Sequence, residues 1–151
     1  MPALTTDTFE MILADHRELG RLLEALVRVS GRQTEALHPD EFLTLLDHKQ
    51  RLLDAVSARE PQALFEQAER EEWALRRAGR TVDADAVRAA AQENRGRVDQ
   101  LQQREATARE VWQQRRDRLR DTLVSFSRQT NARRRYVPAS AAAPRFLNAS
   151  L

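Results

Sequence analysis

The 151-residue sequence contains no cysteine, so disulfides, thiolate metal sites and a cysteine nucleophile are all excluded. Glycine (4) and proline (5) are scarce, which favours long uninterrupted helices over a loop-rich enzyme. Aromatic residues make up only 5%. That is too few bulky side chains for a broad globular interior, and it suits helices packed along narrow apolar seams. No apolar run approaches the roughly 18 residues that a membrane span needs. The N-terminus "MPALTTDTFEMILADHREL" lacks a basic stretch followed by an apolar one, so no secretory signal is expected and a cytoplasmic location is the default. There is no glycine-rich phosphate loop, no G-x-S-x-G turn and no histidine placed beside a serine or carboxylate in a recognisable motif. The sequence therefore reads as a non-enzyme with no cofactor.

What is abundant is charge, at 32% of residues against 41% hydrophobic. Lys49 is the single lysine, so the positive charge is almost all arginine. That explains a pI near 9.9 with a formal net charge of only +2. The charges are well mixed through most of the chain, and a net of +2 is too small to argue for nucleic-acid binding. The acidic residues read as solvated i, i+4 partners of arginines on polar helix faces.

Four helical stretches are expected. Asp7 is a candidate cap with Glu10 three residues on. Phe9, Ile12, Leu19, Leu23 and Leu26 then recur at alternating three- and four-residue spacing, the mark of a bundle helix. Gly31 and Pro39 indicate a bend or break. A second stretch places Phe42, Leu45, Leu46, Leu52, Leu53 and Val56 on one face, after Pro39 in a first-turn position with Asp40 and Glu41 beside it. A third opens at Pro61 with a thinner seam of Leu64, Ala68 and Leu75. The short connection "SAREPQ" predicts that residues 42–56 and 64–77 form an antiparallel pair, with Leu45, Leu52, Leu53, Leu64 and Leu75 buried between them or against the first helix.

The fourth stretch runs from "TVDADAV" to about Tyr136 without a proline, roughly 70–80 Å of helix at ~1.5 Å per residue. Its repeat passes through Val87, Ala91, Asn94, Val98, Leu101, Glu105, Ala108, Trp112, Arg115, Leu119, Thr122 and Phe126. The fold class is thus all-α: an antiparallel helical hairpin or bundle with a long coiled-coil-like C-terminal helix. Residues 1–136 form the helical domain and the Ala/Pro/Ser-rich residues 137–151 are expected to be a flexible tail.

Two local motifs bear on function. "ADHRELGRLLEAL" resembles the first helix of hemerythrin-like di-iron proteins. Such a site needs more His and carboxylate ligands than this chain offers, since none of His16, His38 and His48 is followed by His or Glu four residues on. His16 falls in phase with Phe9 and Leu23, so it reads as a polar interruption of the seam, and no metal is expected. Three arginines, Arg133–Arg135, close the last helix, where the helix dipole alone favours them.

The stretch "HKQRLLDAVSAREPQALFEQAEREEWALRR" resembles the signature of FlgN-type flagellar export chaperones. Lys49, Gln50 and Leu53 match the end of the family's first element. Leu64, Glu69, Glu71 and Glu72 match its glutamate-rich second helix, and the long last helix and tail agree with the layout. The resemblance implies an all-α cytoplasmic chaperone of the flagellar type III export system. Such a protein binds hook-associated structural subunits as a monomer or weak dimer and presents them to the export apparatus. The client-binding residues are expected on the C-terminal half of the long helix, at Trp112, Leu119, Leu123 and Phe126. Tyr136, beside the Arg133–Arg135 cluster, is a contact for the export apparatus on the resemblance alone. The competing expectation is a homo-oligomeric coiled-coil adaptor or scaffold joined along residues 87–126.

Overall fold

The computed structural model describes residues 6–136. Four α-helices follow in order: α1 (Thr6–Glu35), α2 (Pro39–Ser57), α3 (Pro61–Arg77) and α4 (Thr81–Tyr136), with no strand among the described residues. No helix among them is long and apolar enough to cross a membrane. The described residues divide into two units, with the boundary between Val111 and Trp112, inside α4. The expected tail, residues 137–151, lies outside the described residues.

In the first unit the core lies along α1. Ile12 packs with Ala68 and Leu75 of α3 and with Ala84, Val87 and Ala91 of α4. Leu19 and Leu23 pack with Leu64 of α3, with Val56 of α2 and with Val98 and Leu101 of α4. Val29 and Ala36 close on Phe42, Leu45 and Leu52 of α2. Reading these contacts in order gives the direction of each helix. α2 starts beside the end of α1 and α3 ends beside its beginning, so both run antiparallel to α1, one after the other. α4 returns parallel to α1. The unit is a helical bundle of three mutually packed layers: α1, α4, and α2 and α3 end to end.

The antiparallel arrangement is therefore between α1 and the successive helices α2 and α3, not between residues 42–56 and 64–77. Leu45, Leu64 and Leu75 are buried against α1 and its neighbours, Leu52 is half-buried, and Leu53 remains 36% exposed. The reason lies in the break. Pro61 has no N–H to continue α2, and a residue before proline is pushed out of the helical region. Glu60 takes a left-handed conformation at φ 48°, the one non-glycine positive φ among the described residues. That interrupts the helix over three residues without reversing it. Arg59 in the break pairs with Asp15 at 3.5 Å and Glu18 at 4.0 Å, so the joint itself lies against α1.

True reversal comes at residues 78–80. Gly79 has φ 75°, its N–H donates to the Arg76 carbonyl at 3.1 Å, and the Arg80 N–H donates to the Leu75 carbonyl at 2.9 Å. This is the Schellman closure, which needs a left-handed residue after the last helical one. α1 in turn runs through Gly31 and ends only at Glu35, while Pro39 starts α2 at its first turn.

Two polar clusters cross the bundle. His16 is buried, and the Asn94 amide donates to its backbone carbonyl at 2.7 Å and lies 3.2 Å from its Nδ1. Asn94 Oδ1 accepts from Arg97 at 2.9 Å, and Arg97 reaches Glu24 on α1 at 2.8 Å. A Cβ on Gly20 would stand 2.8 Å from both Asn94 Oδ1 and Arg97 Nη1, so a larger residue there would displace this pair. Further along, Glu105 of α4 accepts from both Ser30 of α1 and Lys49 of α2, and Lys49 also donates to Gln33 at 3.3 Å. The chain's one lysine thus ties all three layers.

Both clusters titrate. Burial lowers the His16 pKa below 6.5, so the ring is neutral in the fold. For Glu105 burial raises the pKa, but the hydrogen bonds from Lys49 and Ser30 outweigh it and the net shift is downward from 4.5. The unfolded chain binds the extra proton at both sites over the intervening ranges, so stability falls with falling pH. The loss starts below about 6.5 for His16 and below about 4.5 for Glu105. Urea unfolding against pH should show both limbs. His16→Gln should flatten the first and Glu105→Gln the second. In the same assay at pH 7, Leu75→Ala should cost ~2–5 kcal/mol, while Leu53→Ala should stay within about 0.5 kcal/mol.

Candidate protein-binding surface

Residues 112–136, the described part of the second unit, are the last seven turns of α4. They contain no glycine or proline. Thr122 and Thr130 donate to the carbonyls of Arg118 and Phe126, at 2.9 and 3.0 Å. Their hydroxyls are therefore satisfied inside the helix and ask nothing of a neighbour. Arg133–Arg135 occupy the last turn, where they oppose the negative end of the helix dipole.

Along α4 the three-four repeat changes character. Val87, Ala91, Asn94 and Ala108 are buried. Leu119 is 65% exposed, Leu123 68% and Phe126 67%. Scattered apolar residues on a surface mean little, but these share one stripe with half-buried Trp112 at seven-, four- and three-residue spacing. A stripe of that kind is what a bundle helix buries against its neighbour.

Trp112, Leu119 and Leu123 line an open depression of about 550 Å³, together with Val124 and the arginines Arg116 and Arg120. The Arg115 guanidinium lies over the Trp112 ring, 4.8 Å from its centre, and also borders the depression. Of the residues the sequence marks as partner-binding, three thus come together in one concavity. Phe126 continues the stripe beyond it, and Tyr136, 86% exposed, stands at the helix end away from it. Val124, Arg116 and Arg120 were not foreseen. Their signal was available in the spacing, because Arg116, Arg120 and Val124 follow one another at four-residue steps beside the stripe.

The side chains of the depression are apolar or guanidinium apart from the Ser127 hydroxyl, and the Asp117 carboxylate is paired with Arg116 at 3.1 Å. Among the described residues no group of three His, Cys, Asp or Glu could hold a metal ion. His16 is enclosed by Asn94 and Phe65, and Glu35 and His38, three residues apart, stand at the α1–α2 junction. What the stripe can do is pack a second helix. Compared with known proteins, the chain matches no family model, no curated protein and no solved structure.

Because Leu119 and Phe126 are about two-thirds exposed, truncating them removes little packing. Leu119→Ala and Phe126→Ala, singly and together, should leave the melting temperature within about 2 °C of the parent. A drop comparable to that of a core truncation, measured by circular dichroism, would show that both side chains are buried in solution.

Proposed function

We propose that this protein is a helical chaperone that holds an amphipathic helix of a client protein along the stripe Trp112, Leu119, Leu123 and Phe126. The observation that carries the reading is that stripe: an apolar seam in bundle spacing, exposed at Leu119, Leu123 and Phe126 and continuous with a seam that is buried earlier in the same helix. An amphipathic helix laid on such a face is a recurring mode of peptide recognition. The aromatic residues at its two ends suit anchor positions.

The resemblance of Lys49, Gln50 and Leu53, and of Leu64, Glu69, Glu71 and Glu72, to FlgN-type export chaperones gives the client class. On that reading the clients are hook-associated flagellar subunits. Their terminal helices stay soluble while bound in the cytoplasm, and the type III export apparatus receives the complex. Tyr136 and Arg133–Arg135 are the contact proposed for that apparatus. No cofactor or metal takes part, and the chain acts by binding rather than by catalysis.

A homo-oligomeric adaptor would use the same stripe on a second copy. Of the seam 87–126 that such pairing would employ, Val87, Ala91, Asn94 and Ala108 are already buried within the chain. Only the stretch after Trp112 is left for it.

Light scattering of the purified protein and of its mixture with a hook-associated subunit tests both. The chaperone reading expects a monomer or weak dimer that forms a stoichiometric complex. In the Leu119→Ala/Phe126→Ala variant, affinity should fall at least tenfold with the fold intact. A tight homo-oligomer that the same double substitution dissolves, with no complex formed, would establish the adaptor reading instead.

A further inference from the structure

The two units differ in charge in a way the overall +2 conceals. Residues 1–111 carry 21 acidic against 16 basic side chains, a net of −5. Residues 112–136 carry eight arginines against two aspartates, a net of +6. The ion pairing differs as well. In the first unit arginines are neutralised across and along helices, as in Arg97 with Glu24 and Glu93 and Arg76 with Glu72 and Asp85. In the second, Arg116 pairs with its chain neighbour Asp117 at 3.1 Å.

The charges also have a pattern. Arg116 and Arg120 edge the apolar stripe on one side and line the depression, while Arg115 edges it on the other. Asp117 and Asp121 are four residues apart, and each lies two residues from a stripe position, Leu119 or Leu123, which places both on the far face of the helix. The stripe is thus bordered by positive charge on both sides.

We propose that this surface selects a partner helix whose own apolar stripe is edged by aspartate and glutamate. The proposal rests on the client-binding reading above and adds the partner's chemistry to it. Residues flanking a helix–helix seam meet across it, and opposite charges there set partner choice. A second copy would bring arginine against arginine in either orientation, so like charge works against self-pairing. A lipid surface is a poorer fit, because helices that lie in a membrane interface present a broad apolar face. Here Arg115 and Thr122 interrupt the seam, leaving a ridge one helix wide.

The test uses the full chain and two fluorescently labelled helical peptides with the same leucine stripe, one edged with glutamate and one with lysine. Anisotropy titration at 50 mM and 500 mM salt should show the glutamate-edged peptide binding at least tenfold tighter at low salt. The gap should narrow at high salt, because exposed pairs are screened. Arg116→Glu/Arg120→Glu should reverse the preference, with circular dichroism unchanged. Equal binding of both peptides, abolished by Leu119→Ala/Phe126→Ala, would overturn the charge selection and leave the docking surface standing. Failure of both peptides to bind would overturn docking and selection together. Binding to vesicles containing phosphatidylglycerol, with no preference between the peptides, would make an anionic lipid surface the partner and sink the proposal.

Discussion

The bundle depends on the close approach of α1 and α4 at Gly20. There the missing side chain lets the Asn94 amide reach the His16 carbonyl, and Asn94 in turn orients Arg97 toward Glu24. A buried amide bonded in this way fixes register more strictly than an apolar seam, because a slip of one residue would leave polar groups unpaired in the core. With α4 set against α1 at that point, Ile12 meets Val87 and Ala91 on one side, and Ser30 meets Glu105 on the other. The α2 and α3 helices then cover what remains of α1. Their position is held by Leu45, Val56, Leu64 and Leu75 and by the charged contacts of Lys49 and Arg59.

The helices and their seams were legible in the sequence because periodicity records which face is buried. Ile12, Leu19, Leu23, Leu26, Leu64, Ala68, Leu75, Val87 and Ala91 all lie in the core as their spacing indicates. The direction of α3 was not legible. A short connection between helices usually means that they double back on each other, and "SAREPQ" has the length and the proline of such a turn. Telling a reversal from an interruption requires the backbone angles of Glu60 and the pairing of Arg59 with α1. Neither has a sequence signature. One hint was length: α2 and α3 together hold 36 residues, 19 and 17, close to the 30 of α1. Two helices that together match a third are well suited to lie end to end along it.

The candidate surface was legible in its apolar part and obscured in its charged part. Trp112, Leu119, Leu123 and Phe126 stand out by spacing. The arginines beside them are hidden by an average, because the acidic excess of residues 1–111 offsets the basic excess of residues 112–136. Net charge describes a molecule at distances beyond the screening length, whereas a docking helix responds to charges within a few ångströms.

One repeat in α4 therefore carries polar residues of two kinds. Asn94 and Glu105 interrupt the apolar seam where it is packed, and each is matched by groups on other helices: His16 of α1 for the first, Ser30 of α1 and Lys49 of α2 for the second. Their polarity is consumed within the fold, where it sets register. Arg115 and Thr122 interrupt the same repeat farther on. Thr122 bonds only to its own helix, and Arg115 lies over Trp112 in the same segment. The repeat itself does not distinguish the two kinds. The difference lies in where the interrupted seam packs. Around residues 94 and 105 it meets α1 and α2, and the seam closes. From Trp112 onward the apolar stripe and its arginine borders have the form of half an interface, whose other half a separate acidic helix would provide.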